Sequence, residues 1–505
     1  MEKIKNFFAR FEKYLIWPIL VLSAGLRLDQ ISDRDFWYDE AFTGIAVGEK
    51  LHDMMAMIVN DVHPPLYYLA AKVFSSPFNY SVFSIRLFSA IFGVLGVWAI
   101  YLFTKELFDR RTALWASLII AISPFAVQYS QEARMYVMLV FLITIAAYFF
   151  VRALKTDRTR YFIFWGIFTG LACLTHYMGL IFSAIYLPVF ITWKIIDGRI
   201  YEKKISWKMI KDFLPSKKFL AGYGAAFLVF SPWLTTFIYH LTHMGNNLEW
   251  IVPANLGDIF WNLQMFIFGT PKGEMSAGMA NPNEFYGVAN NTAVTLIVIF
   301  FVAITVFLFK KRKDKQKISA VLILSVGFMF IVYLLSLFGE RFFVARYLMP
   351  AAYFTFVYLG LWLASVRLRT AIYALVIYIT LMFTFQPYYY SQGWNELKKN
   401  LPKYQNDNFY ILNSFDYVIG KYYLGADRLT LFNIDWPQYN PGYWAAIGPT
   451  LKRTENLSDL RNDPSGLIIF NGQPDKKYRD DKTFDPRKFV LVAQYKNIQL
   501  YRFAK

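Results

Sequence analysis

Residues 83–104, FSIRLFSAIFGVLGVWAIYLFT, contain no Asp, Glu or Lys and a single Arg, and the run is long enough to cross a bilayer as a helix. At ~1.5 Å per residue, ~20 apolar positions span the ~30 Å of hydrocarbon. Comparable runs recur near residues 14–28, 112–128, 135–151, 161–175, 177–193, 219–239, 292–309, 318–338, 348–365 and 371–387. The sequence therefore predicts an all-α polytopic membrane protein with about eleven transmembrane helices. Over the 505 residues, 56% are hydrophobic, 20% aromatic and 17% charged, which excludes a purely soluble globular chain. A single cysteine, Cys173, excludes a disulfide framework and a Cys-rich metal site. Lys3, Lys5, Arg10 and Lys13 precede the first run as they would in a signal peptide, but no small-residue cleavage site follows, so it is expected to be retained.

The net charge of +18 first suggests a polyanion partner such as nucleic acid. Its distribution argues otherwise. With the N-terminus placed inside, the inner connections are residues 1–13, 105–111, 152–160, 194–218, 310–317 and 366–370, which hold 27 basic and 9 acidic residues. The rest of the chain holds 26 of each. Positive connections are retained on the cytoplasmic side, so the charge sets orientation, and no nucleic-acid partner is expected. This arrangement predicts a multi-pass cell-membrane protein with its N-terminus cytoplasmic. Two long outer loops, 29–82 and 240–291, interrupt a membrane module of residues 1–387. Long loops in compact proteins tend to be functional. From residue 388 the character changes to short β-rich strings, NFYIL, RLTLFNI and GLIIFNG, and the chain ends in FVLVAQYKNIQLYRF, a predicted hairpin turning at Lys496 and Asn497. Residues 388–505 are thus expected to form a small extracytoplasmic α/β domain.

None of the eleven runs contains Asp or Glu, which counts against an ion-coupled carrier, because such proteins place ionisable groups within the membrane. Acidic residues crowd instead into the first outer loop: Asp29, Asp33, Asp35, Asp39, Glu40, Glu49, Asp53 and Asp61. In DFWYDEAF, Asp39 and Glu40 precede an amphipathic segment and are flanked by Trp37, Tyr38 and Phe42. Asp39 could be a helix cap, or a carboxylate base facing an acceptor hydroxyl. In DVHPPLYYL the prolines suit a helix start and fix His63, either as part of that cap or as a donor to a phosphate. SPFAVQYSQEARMYVMLVF brings Arg134 and Tyr136 to a short outer turn; Arg134 could pair with Glu132 or clamp a lipid phosphate. GERFFVARYLMP places Arg341, Arg346 and Tyr347 on the outer side, against the inside-positive pattern, and a bound anion would account for that.

These strings together resemble the GT-C membrane glycosyltransferases, specifically the branch of protein O-mannosyltransferases and aminoarabinose transferases. The matching residues are the Asp39-Glu40 pair, His63-Pro64-Pro65-Leu66, the Ser-Pro-Phe to Arg134-Met135-Tyr136 segment, and Arg346-Tyr347 followed by Pro350. The resemblance covers most of the chain through the order of its pieces rather than through any one motif. It implies a GT-C fold and inverting transfer of a sugar from a polyprenyl-phosphate-linked donor to an acceptor hydroxyl on a glycan, lipid or protein at the outer face. Membrane lipids and those acceptors are the implied partners. By the same resemblance Asp39 is the catalytic residue. Glu40, His63, Arg134, Tyr136, Arg346 and Tyr347 are candidate substrate-binding residues, followed by Tyr38, Arg341 and His176. His176, in CLTHYMG, also has an ordinary reading as a packed residue.

The aminoarabinose transferases have Glu-Lys before the Pro-Pro, and that Glu helps hold a metal; here the positions are Val62 and His63, the pattern of the protein mannosyltransferases. No cofactor is required by the sequence. It leaves room for a divalent metal ion, with His240 and His243 at i, i+3 and Asp61 or Glu249 as candidate ligands, although two histidines at that spacing are more often interfacial residues. Two other functions stay open at this stage: a polyprenyl-diphosphate-dependent glycan ligase or polymerase, which would need no carboxylate base, and a lipid-linked-sugar transporter.

Overall fold

The computed structural model describes residues 12–197, 215–243, 251, 253–269, 288–338, 341–384, 391–432, 451–454, 457–472 and 489–503. The described part of each of the eleven apolar runs falls mainly on helix, from Ile16–Leu28 and Val82–Leu107 to Met349–Ser365 and Leu368–Thr384. Among the described residues, five helices are long and apolar enough to cross a membrane, six if one bent pair counts as a single span. The difference from eleven has a physical cause. Four runs form helices of only 13 to 17 residues, and one is broken into the bent pair.

The clearest break separates Arg110–Ile122 from Pro124–Ser130 by 62°. Pro124 supplies no N–H, and Ser123 caps the second piece by accepting from the Ala126 N–H at 3.3 Å. The carbonyls freed at the bend are met by Arg27, which is fully buried at the end of the first helix. It donates to Ile120 O at 3.2 Å, Ala121 O at 3.0 Å and Ser130 Oγ at 3.1 Å. Gln131 returns the arrangement, donating from Nε2 to carbonyls at the end of Arg27's own helix, Leu26 at 3.2 Å and Arg27 at 3.3 Å, and to that of Asp29 just beyond it at 2.8 Å. The two ends cap each other. Gly93 must be glycine here, because a Cβ would strike Ser130 and Arg27. A second close approach joins Thr159–Thr175 to Lys217–Phe230, where Gly166 and Gly170 face Gly222 and Ala226 backbone to backbone. Small residues four apart permit this when lipid supplies no hydrophobic drive.

The C-terminal region is a six-stranded sheet in the order β3-β2-β1-β4-β6-β5. Its strands are β1 (Asn408–Ile411), β2 (Leu429–Phe432), β3 (Lys452–Thr454), β4 (Gly466–Asn471), β5 (Phe489–Tyr495) and β6 (Ile498–Phe503). The first four run parallel, with the helix Ser414–Leu424 crossing from β1 to β2, and β6 pairs antiparallel with β4 and β5. The expected hairpin is present, with Tyr495 opposite Ile498 and Lys496 at φ +51° in its turn. Tyr410, Leu412, Phe432, Leu460, Ile468, Phe470 and Phe489 form its core.

The chain divides into two compact units. One comprises residues 1–29, 63–67 and 89–388; the other joins residues 30–62 and 68–88 to 389–505. Most of the 29–82 segment therefore belongs with the sheet.

The mutual capping of Arg27 and Gln131 predicts that Arg27→Met lowers stability in detergent by several kcal/mol, at about 1–3 kcal/mol for each orphaned buried acceptor. Arg27→Lys should fall between Met and wild type, because an ammonium cannot reach all three acceptors. Thermal unfolding of the purified variants tests this ranking.

Candidate active site

In the sheet-bearing unit, Trp37 is extended at φ −82°, ψ 175° and the helix Tyr38–Gly48 begins behind it. The two acids in its first turn have different fates. Asp39 is half-buried and near the positive end of the helix dipole. Glu40 is 1% exposed, and its carboxylate is gripped by Arg86 through Nε at 2.8 Å and Nη2 at 2.6 Å. Arg86 also donates to the carbonyls of Ile31 at 3.0 Å, Arg34 at 2.9 Å and Asp35 at 2.9 Å, so that all five guanidinium N–H groups are used. Glu40 thereby anchors the start of the helix, while Asp39 stays half-buried. At the other end of the helix Lys72 donates to the Val47 carbonyl at 2.9 Å and to that of Glu49.

Tyr38 and Asp61 accompany Asp39 in this unit. Asp61 is buried and accepts from the Tyr68 hydroxyl at 3.3 Å. Burial pushes the Tyr38 phenol well above its ordinary range, and the carboxylates of Asp39 and Asp61 add to the effect, which makes the three groups neighbours.

The other unit gathers a second group. The rings of His63 and His176 meet edge to face at 5.2 Å, with His176 also 4.9 Å from Tyr347 and 5.9 Å from Tyr136. Tyr136 in turn lies 5.9 Å from Tyr129, and the Arg346 guanidinium sits 5.7 Å from the Tyr347 ring. Arg134 is buried, and its carbonyl accepts from Ser89 Oγ at 3.3 Å, itself bonded to the Tyr67 hydroxyl at 2.8 Å. His176 occupies the turn between the helices Thr159–Thr175 and Met178–Asp197. The Met178 N–H donates to its Nδ1 at 3.1 Å, so the ring proton resides on Nε2. That Nε2 is buried with no hydrogen-bond partner. Burial, then His63, Arg134 and Arg346, hold the imidazole pKa well below its ordinary value, and the ring is neutral. The result is an N–H donor set among cationic side chains, an arrangement suited to an anionic oxygen.

The remaining sequence candidates lie elsewhere. Arg341 is exposed, with Nη1 3.4 Å from the Ile251 carbonyl. His240 shares a 2.7 Å bond with the Tyr177 hydroxyl, which also accepts from Trp233. His243 stacks on Tyr239 at 4.7 Å. Among the described residues, which do not include Glu249, no three His, Cys, Asp or Glu side chains assemble into a metal site. Sequence reasoning missed Arg27 and Arg86, although a lone Arg inside an apolar run was the available clue.

Residues 62–236 match the family model of the dolichyl-phosphate-mannose-protein mannosyltransferases. The fold is similar to that of ArnT from Cupriavidus metallidurans bound to undecaprenyl phosphate, with a TM-score of 0.63 at 11% identity, covering 96% of this chain and 97% of that one. It is also similar to the Archaeoglobus fulgidus oligosaccharyltransferase tethered with an acceptor peptide, with a TM-score of 0.52 at 14% identity, covering 92% of this chain and 70% of that one. Among curated proteins there is no sequence match. The chain thus shares its fold with these two structures, and part of it matches the family model.

The Glu40–Arg86 pair predicts that either Glu40→Ala or Arg86→Met costs about 3–5 kcal/mol of stability, because each leaves a buried charge unpaired. A double variant should lose less than the sum of the two. A double-mutant cycle by thermal or chemical unfolding checks the coupling.

Proposed function

We propose that this protein transfers a sugar, with inversion, from a polyprenyl-phosphate-linked donor to an acceptor hydroxyl at the non-cytoplasmic face of the membrane. The observation that carries the reading is the buried, neutral His176 with its Nε2–H among Arg134, Arg346, Tyr136 and Tyr347. Such a set suits a phosphate that gains negative charge as it departs. The undecaprenyl phosphate held by the similar ArnT supports a lipid-phosphate donor, and the inside-positive charge distribution supports the orientation.

In the proposed reaction Asp39 orients the acceptor hydroxyl and takes its proton as the oxygen bonds to the anomeric carbon. The bond from that carbon to the phosphate oxygen breaks on the opposite face. The electron pair leaves with the polyprenyl phosphate, whose charge is met by Arg134, Arg346 and the His176 N–H. His63 packs on His176 and fixes its ring. Glu40, held by Arg86, serves by keeping the helix of Asp39 in place.

Membranes bearing wild type or Asp39→Asn, incubated with a panel of labelled polyprenyl-phosphate sugars, test this reading by product mass. Asp39→Asn should lose at least about a hundredfold in transfer while inserting normally. Transfer that survives Asp39→Asn but disappears in Arg346→Ala would instead indicate a diphosphate donor and no carboxylate base.

His176 makes a separate prediction about pH. Because its folded pKa is depressed, it stays neutral as pH falls through the ordinary histidine range, and affinity for polyprenyl phosphate should not weaken as pH rises from 6 to 8 on account of this ring. His176→Phe should weaken that affinity by about tenfold, the value of one hydrogen bond to a charged group, and His176→Gln should recover part of it. The same depression makes the folded state lose stability as pH drops below about 6.5, where the unfolded chain takes up the proton first. Binding and unfolding series against pH check the two signs.

A further inference from the structure

Asp35 lies four residues before Asp39 and is 5% exposed, yet nothing in the proposed chemistry uses it. Its carboxylate receives the opening backbone N–H groups of the helix Trp394–Asn400: Gly393 at 2.7 Å and Trp394 at 3.1 Å on Oδ2, and Asn395 at 2.8 Å on Oδ1. Gly393 makes this possible with φ at +112°, where a Cβ would strike the Tyr495 carbonyl. An ionised carboxylate taking several backbone N–H groups is among the stronger polar contacts available.

The following residues continue the attachment. The Phe36 N–H donates to the Tyr423 hydroxyl at 2.8 Å, and the Phe36 ring lies 4.8 Å from Tyr422 and 5.0 Å from the Arg86 guanidinium. Tyr38 meets Phe415 at 4.8 Å. Gly44, on the helix of Asp39, leaves no room for a Cβ against the Tyr422 ring, whose hydroxyl donates to the Tyr80 carbonyl at 3.0 Å. The helix Tyr38–Gly48 therefore rests along Ser414–Leu424, with its entry pinned by Asp35.

We propose that Asp35 is a positioning residue through which the C-terminal α/β region sets the pose of the Asp39 helix, so that this region is required for the chemical step itself. The inference rests on the reading of Asp39 as the base. It separates two kinetic parameters: a loosened helix misplaces the base and lowers kcat, while donor KM, set by groups of the other unit, stays the same.

The test uses the full-length protein with Asp35→Asn and the gentler Tyr423→Phe, which removes one oxygen and keeps the ring. Asp35→Asn should lower kcat about a hundredfold and Tyr423→Phe about tenfold, in line with the cost of small misplacements, with donor KM changed less than about twofold. Hydrogen–deuterium exchange should rise in peptides covering 38–48 and stay constant in those covering 136–156. If Asp35→Asn fails to fold, Tyr423→Phe decides alone. Unchanged exchange at 38–48, or a loss carried by donor KM, overturns the proposal. If wild type transfers no sugar from any donor, the functional reading fails, and the exchange arm still decides whether the α/β region holds the helix.

Discussion

A backbone within hydrocarbon has no water to turn to, so each freed N–H and C=O must find a partner inside the protein. Much of the membrane unit follows from the one place where that demand is hardest to meet, the bend at Ser123 and Pro124. An uninterrupted helix would have carried residues 124–130 straight on. The bend frees carbonyls, Arg27 takes them, and Gln131 takes those at the end of Arg27's own helix. A cation so deep is tolerated because its guanidinium makes charge-assisted hydrogen bonds to the carbonyls of Ile120 and Ala121 at the bend. The segment after Gln131 holds Arg134, so the solution to a backbone problem also fixes where that buried cation begins.

The same economy of a fully engaged arginine recurs in the sheet-bearing unit. Arg86 uses its whole guanidinium on Glu40 and on three carbonyls of the 31–35 turn. This separates two acids that are adjacent in sequence and chemically alike. Glu40 becomes a buried anchor, and Asp39 is left at the half-buried face. Asp35 completes the support by binding the start of Trp394–Asn400.

Much of this was legible beforehand. The apolar runs became helices because their composition admits no other way to satisfy the backbone, and the closing hairpin formed because FVLVAQY and IQLYRF flank a two-residue turn. The grouping of His63, Arg134, Tyr136, His176, Arg346 and Tyr347 was partly visible as separate strings, each with an ordinary alternative reading. Their meeting around His176 was not, since four stretches of chain far apart in sequence contribute to it. The union of the 30–62 segment with the C-terminal sheet left no trace in local pattern, because Asp35 binds backbone N–H groups, which carry no side-chain signature.

By itself, then, the sequence determined the helices, the partition of charge among their connections, the closing sheet and a short set of candidate polar residues. These are matters of composition and period, and they are decided locally. Only the tertiary structure decided which acid of the pair is buried, that His176 is neutral with its proton on Nε2, and that Arg27, Arg86 and Asp35 are structural charges. Each depends on which donor or acceptor arrives from a distant part of the chain, and burial makes that arrival decide protonation and pairing.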